Sequence, residues 1–245
     1  MLSKAKIKFI KSLQIKKYRK QEQCFIVEGA KSVRELLASD FQIKTLLGTT
    51  AFLSSISINA AAVEVIEVTT RELEGLGEFQ TNESALAVVG QKPNERLSIA
   101  DDEFALILDD IRDPGNLGAI IRTSDWFGLS KIIASNETAD FYNQKVISAT
   151  MGSFTRVKMY YADLQEYLNI VTKPVFGTYL NGTDVQKVNF GRGGFILIGN
   201  ESNGIHPELE KYVTQKVTIP RLGRAESLNA AIAAGILCYA VSSLQ

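Results

Sequence analysis

Ala105-Leu106-Ile107-Leu108-Asp109-Asp110-Ile111-Arg112-Asp113-Pro114-Gly115-Asn116-Leu117-Gly118 is the stretch that decides the architecture. Four consecutive apolar residues read as a strand covered on both faces, the habit of parallel sheets. Asp-Pro-Gly then supplies a tight turn, Pro by its fixed φ and Gly by its freedom. Asn116 stands where a helix over 116–127 would be capped, and the backbone N–H groups at that helix start offer a seat to an anion such as phosphate. Strand, turn and helix in this order form one repeat of a parallel α/β fold.

Working outward, the alternation continues. Strands are expected at Lys131–Ala134, Val157–Tyr160, Val175–Tyr179, Phe195–Ile198 and Val217–Ile219. Helices are expected at Gln144–Thr150, Leu164–Ile170, Pro207–Val213 and Leu228–Val241. Upstream, Cys24–Val27, Ile43–Leu47, Val63–Val68 and Ala85–Val89 read as strands of a smaller β/α unit, with helices after Gly29 and over Thr70–Leu76. The polar, Pro-containing run Gln91–Arg96 has no periodicity and reads as a linker. The domain reading is therefore 1–92, a linker over 93–101, and 102–245.

The composition is that of a globular protein: 245 residues, 45% hydrophobic and 22% charged. No apolar run approaches the roughly 18 residues that span a bilayer, and Lys4, Lys6, Lys8 and Lys11 interrupt any signal-peptide core, so a cytoplasmic protein without membrane contact is expected. Two cysteines, Cys24 and Cys238, and the single His206 are too few for a four-ligand zinc site, so no metal is expected. The 27 basic and 27 acidic residues cancel over the chain. Residues 1–20 nevertheless hold eight cations, Lys4, Lys6, Lys8, Lys11, Lys16, Lys17, Arg19 and Lys20, and no acid. Such an arm either meets a polyanion or forms a solvated helix face.

In open α/β sheets, ligands bind beyond the carboxyl ends of the strands. Three loops there carry unusual residues. The first, quoted above, leads to Arg122, which needs either a ligand or a salt-bridge partner. The second is Gly199-Asn200-Glu201-Ser202-Asn203-Gly204, which displays Glu201 between two glycines. The third is Ile219-Pro220-Arg221-Leu222-Gly223-Arg224-Ala225-Glu226-Ser227-Leu228-Asn229. It runs into a helix rich in alanine that Ser227 could cap and whose small residues permit close packing.

Together and in this order, Asp-Pro-Gly-Asn-Leu-Gly with Arg122, Gly-Asn-Glu-Ser-Asn-Gly, and Ile-Pro with Ser-Leu-Asn-Ala-Ala resemble the three motifs of the SpoU (TrmH-like) family of RNA ribose 2′-O-methyltransferases, in the SPOUT superfamily. Ala149–Val157 is similar to the family's segment between its first two motifs. Phe25-Ile26-Val27-Glu28-Gly29 after a basic helix is similar to the start of its accessory substrate-binding domain. The resemblance implies an α/β protein with a small N-terminal α/β/α RNA-binding domain and a mainly parallel C-terminal sheet ending in a trefoil knot. It also implies a homodimer with active sites at its interface.

By the same resemblance, S-adenosylmethionine would lie against Thr178, Gly199, Ile219 and Leu228. Asn116, Arg122, Glu201, Ser227 and Asn229 would surround the transferring methyl and the ribose. A guanidinium stays protonated, so Arg122 suits the role of donor to the developing alkoxide or an adjacent phosphate, with Glu201 orienting Arg122 or Asn116. The implied substrate is structured RNA, 23S ribosomal RNA ahead of transfer RNA. A non-catalytic RNA-binding protein of the same fold is the alternative from another class. No strand is followed by Gly-x-Gly-x-x-Gly or Gly-x4-Gly-Lys-Ser/Thr, which removes a Rossmann dehydrogenase and a P-loop enzyme.

Overall fold

The computed structural model describes residues 2–57, 63–78 and 82–242. Contacts divide the chain into two units, Met1–Pro93 with Asp140–Thr155, and Asn94–Ala139 with Arg156–Gln245.

In the first unit the basic arm folds into α1 (Lys4–Ser12) and α2 (Lys16–Glu22). There follow β1 (Cys24–Glu28), α3 (Ala30–Leu37), β2 (Ile43–Gly48), α4 (Thr50–Ser54), β3 (Glu64–Glu67), α5 (Thr70–Glu74) and β4 (Ala85–Gly90). The sheet order is β1-β4-β2-β3, antiparallel except between β2 and β3. Helix α4, capped by Thr49, is too short for its periodicity to show in the sequence. Along β1 the side chains alternate: Cys24 and Ile26 join Ile10, Leu13, Leu73 and Leu76, while Phe25 meets Phe41, Tyr142 and Phe154. Covering on both faces explains the uninterrupted apolar run.

Arg19 departs from its expected role as one of eight free cations. It is buried, donates to the carbonyls of Leu13 (3.0 Å) and Gln14 (2.7 Å), and pairs with Asp140 at 2.7 Å. A guanidinium with this many partners is a structural tie between the two basic helices and the later segment. Lys6 is also engaged, with Glu64. Lys4, Lys8, Lys11, Lys16, Lys17 and Lys20 remain exposed.

The second unit begins with β5 (Phe104–Leu108), α6 (Pro114–Trp126) and β6 (Lys131–Ser135). The chain then gives α7 (Gln144–Ala149) to the first unit and returns with β7 (Lys158–Ala162), α8 (Leu164–Leu168), β8 (Val175–Asp184), β9 (Gly194–Ile198), β10 (Gln215–Thr218) and α9 (Ala230–Ser242). The sheet order is β10-β8-β9-β5-β6-β7, with every pair parallel. β5, β9 and most of β6 are wholly buried, as their continuous apolar sequence requires. Pro207–Tyr212 is a 3-10 helix where an α-helix was expected, and α9 starts two residues later than its sequence suggests.

Strand β8 runs on to Asp184, where the sequence suggested a loop after Tyr179. Against β10 its register jumps from Lys216 opposite Gly177 to Val217 opposite Thr183, so residues 178–182 bulge out of the ladder. Gly182 lies so close to Lys216 that a Cβ would sit 2.7 Å from its carbonyl oxygen, which leaves room for glycine alone.

Candidate active site

The chain leaves β5 toward β6 but leaves β9 toward β10, on the opposite side. Adjacent strands whose connections diverge open a crevice at their carboxyl ends. The first two unusual loops leave these two strands.

At the start of α6, Asp113 is the cap: its Oδ1 accepts from Asn116 N at 2.7 Å, and Pro114 occupies the first helical position, where no N–H is missed. Asn116 was expected in that role and instead lies inside the first turn. The capping carboxylate also fills the seat expected for a phosphate. Freed from capping, the Asn116 amide donates from Nδ2 to Glu201 Oε1 at 2.5 Å.

Glu201 is carried by a loop that closes on itself. Asn200 and Gly204 exchange both backbone hydrogen bonds, at 3.0 and 2.9 Å, and Asn200 Oδ1 accepts from Ser202 N at 2.8 Å. At Gly199 a Cβ would stand 2.2 Å from the Gly204 carbonyl carbon, so the closure demands glycine there. Asn200 Nδ2 also donates to the Asp110 carbonyl at 2.8 Å, tying this loop to the first.

In the third loop, Asn229 performs the capping expected of Ser227. Its Oδ1 accepts from Ala231 N at 2.9 Å, and its Nδ2 donates to Asn116 Oδ1 at 2.9 Å. Asn229, Asn116 and Glu201 thus form one hydrogen-bonded chain across residues far apart in sequence. Ser227 is exposed and makes no hydrogen bond among the described residues. Arg122 lies six residues along α6 from Asn116, about 120° around the helix. Its guanidinium is exposed, with no hydrogen bond or ion pair among the described residues, so the salt-bridge alternative has no partner.

The four residues expected at the cofactor divide similarly. Gly199 and Ile219 are half-buried directly after the last residues of β9 and β10, and Thr178 is half-buried inside β8, one residue past its last pairing with β9, where its hydroxyl donates to the Leu197 carbonyl at 2.9 Å. Leu228 is 44% exposed in the third loop.

Two polar pairs were not read from the sequence. His206 sits on buried Asp109, N to Oδ2 at 2.7 Å and Nδ1 to Oδ1 at 2.8 Å, and this carboxylate holds the imidazole pKa above its ordinary 6.5. They border a polar cleft of about 280 Å³ lined also by Asn136, Glu137, Asp163 and Gln165. Arg112 pairs with buried Asp110 at 2.6 Å. Asp109 and His206 are 97 residues apart, and only the adjacency of β5 and β9 brings them together. Among the described residues no group of three or more His, Cys, Asp or Glu is placed to hold a metal ion, and no helix is long and apolar enough to cross a membrane.

A parallel sheet with its polar chain at the switch point, joined to a smaller mixed-sheet unit, defines a two-unit α/β protein with a site built from loops. Residues 103–239 match the SpoU rRNA Methylase family, and residues 4–87 match the MRM3-like substrate binding domain. The chain belongs to the SpoU rRNA methylase family. It is 31% identical over 240 residues, 96% of this chain and 94% of the other, to the 23S rRNA (guanosine(2553)-2′-O)-methyltransferase RlmP of Bacillus subtilis. Among solved structures, a TrmH-family protein of Porphyromonas gingivalis is 35% identical with a TM-score of 0.90, covering 100% of both chains. An S-adenosylmethionine-bound rRNA methyltransferase of Sinorhizobium meliloti is 30% identical with a TM-score of 0.90, covering 100% of this chain and 96% of that one.

Proposed function

We propose that this protein methylates a ribose 2′-hydroxyl of 23S ribosomal RNA, using S-adenosylmethionine. The observation that carries the reading is the chain Asn229–Asn116–Glu201, which joins all three family motifs at one point of the sheet. The curated relatives named for a nucleotide position, in Bacillus subtilis and in Streptomyces viridochromogenes, act on 23S rRNA, which ranks ribosomal above transfer RNA.

The residues present fit the cofactor. Gly199 lets the loop of Glu201 close tightly on the end of β9, and half-buried Thr178, Tyr179 and Ile219 flank that closure with main-chain groups. S-adenosylmethionine supplies a methyl group already activated as a sulfonium. The chain's task is to align the ribose and stabilise negative charge as its proton leaves. Glu201 fixes the Asn116 amide by accepting its hydrogen bond, and Asn229 fixes the other end of that amide. Glu201 therefore orients Asn116, and Arg122 is left free to donate to the developing alkoxide. Ser227 contacts substrate.

Arg122 and Asn116 point about 120° apart on one helix, so a single chain does not gather them. A homodimer would, by placing Arg122 of one protomer at the other's site. Trp126 (83% exposed), Ile232 and Tyr239 (63%) on α6 and α9 form an apolar face suited to that contact. In this reading the third loop and α9 complete a trefoil knot, and the protein acts in the cytoplasm, where its RNA is made.

The test is transfer of a radiolabelled methyl group to unmodified 23S rRNA and to unmodified tRNA, with the product position mapped. Label in 23S rRNA alone is expected. Label confined to tRNA would establish the transfer-RNA reading, and cofactor-dependent label in neither would leave a binding protein.

A further inference from the structure

Asp110 is a non-glycine residue held at φ +59°, in the left-handed region. Such a conformation persists where the surroundings over-determine it. Here they do: its N–H donates to Ser135 Oγ at 3.0 Å, its carbonyl accepts from Asn200 Nδ2 at 2.8 Å, and its side chain is only 1% exposed. The one partner of its carboxylate among the described residues is Arg112, whose Nε donates to Oδ1 at 2.6 Å. Arg112 itself is 70% exposed, and its two terminal amino groups have no hydrogen-bond partner among the described residues. A long, entropically costly side chain is thus fixed at its neck while its fork faces solvent. The neighbouring acid, Asp113, is already committed to capping α6.

We propose that Arg112 is a phosphate-binding site for the RNA backbone beside the ribose that is methylated, and that Asp110 is the positioning residue that holds it. The proposal rests on the RNA-substrate reading above. Planar guanidinium donors match phosphate oxygens, and a pre-organised arginine loses less freedom on binding than a mobile one. Arg112 stands four residues before Asn116, within roughly 14 Å of chain, so a phosphate near the reacting nucleotide is in reach. Asn200 couples the device to the loop of Glu201. The acids Glu137 and Asp163 line the polar cleft beside Asp109 and would repel the same backbone, which favours the solvent-facing fork of Arg112 over the cleft as its seat.

Full-length Arg112→Gln and Asp110→Asn are compared with the wild type on an unmodified 23S rRNA transcript. Asn tolerates the left-handed conformation, so Asp110→Asn removes the anchor while sparing the backbone. Arg112→Gln is expected to raise KM for RNA about tenfold, leave kcat within about twofold, and leave S-adenosylmethionine affinity unchanged. The slope of log binding constant against log salt should shrink by about 1. Asp110→Asn should raise KM severalfold with that slope unchanged, because the charge is kept and only its placement is lost. Arg112→Gln with wild-type KM and salt slope would overturn the proposal, as would a loss confined to kcat. If the wild type methylates no 23S rRNA, the function reading fails, and the salt slopes of wild type and Arg112→Gln on the same transcript still decide whether Arg112 binds phosphate.

Discussion

Arg122 is the residue with most to contribute and least to hold it in the isolated chain. A donor that acts mainly in the transition state affects turnover and leaves ground-state binding alone. Arg122→Ala should therefore cut methyl transfer by on the order of 100-fold or more, with cofactor affinity measured by calorimetry unchanged. Arg122→Lys should not rescue, since an ammonium lacks the planar fork. Gly199 behaves differently. Because even a methyl group there would collide with the Gly204–Ile205 backbone, Gly199→Ala should open the loop of Glu201 and weaken cofactor binding and turnover together. His206 offers a pH test. Its folded pKa lies above the ordinary 6.5, so the pair with Asp109 adds stability that is fully present below about 6.5 and is lost as pH rises through the raised value. The Tm deficit of His206→Ala relative to wild type should accordingly be larger at pH 6 than at pH 9.

At the scale of elements, α9 shows how far a composition rule reaches. Its small residues suggest the closest possible approach of another backbone, and Ala230 and Ala234 are indeed buried. Gly235 is not at such a contact: a Cβ there would lie 3.6 Å from Thr123 Cγ2, an ordinary van der Waals distance. Gly235→Ala should therefore stabilise the helix by about 0.5–1 kcal/mol and raise Tm by about 2 °C in a thermal melt. In α6 the turn and helix were legible from Asp-Pro-Gly, yet the cap fell on Asp113. Several residues near a helix start can accept its N–H groups, and the local pattern does not choose among them.

For the whole molecule, the surprise is the ownership of Asp140–Thr155. This segment sits between β6 and β7 in sequence, but Phe154 and Tyr142 pack on Phe25, and Asp140 holds Arg19. A truncation starting near Asp101 would strip those apolar side chains of their cover. It should bind a hydrophobic dye and aggregate, which makes it a poor test of RNA recognition. Neutralising Lys4, Lys8 and Lys11 is the better one: weaker binding of all RNAs alike and a flatter salt dependence are expected, with the fold unaffected, because these side chains are exposed.

The local order of strands and helices in the second unit was present in the sequence, because continuous apolar runs and turn residues act over a few positions. So were the identities of Asn116, Glu201 and Asn229, which stand in loops of unusual composition. What needed the tertiary structure was every relation across distance. Which strands lie side by side decides that Glu201 meets Asn116 across 85 residues, and that His206 meets Asp109. The burial of Arg19 and the bulge at 178–182 are likewise set by partners remote in sequence. A hydrogen bond or ion pair depends on where the fold delivers its second atom, and no local pattern of residues carries that information.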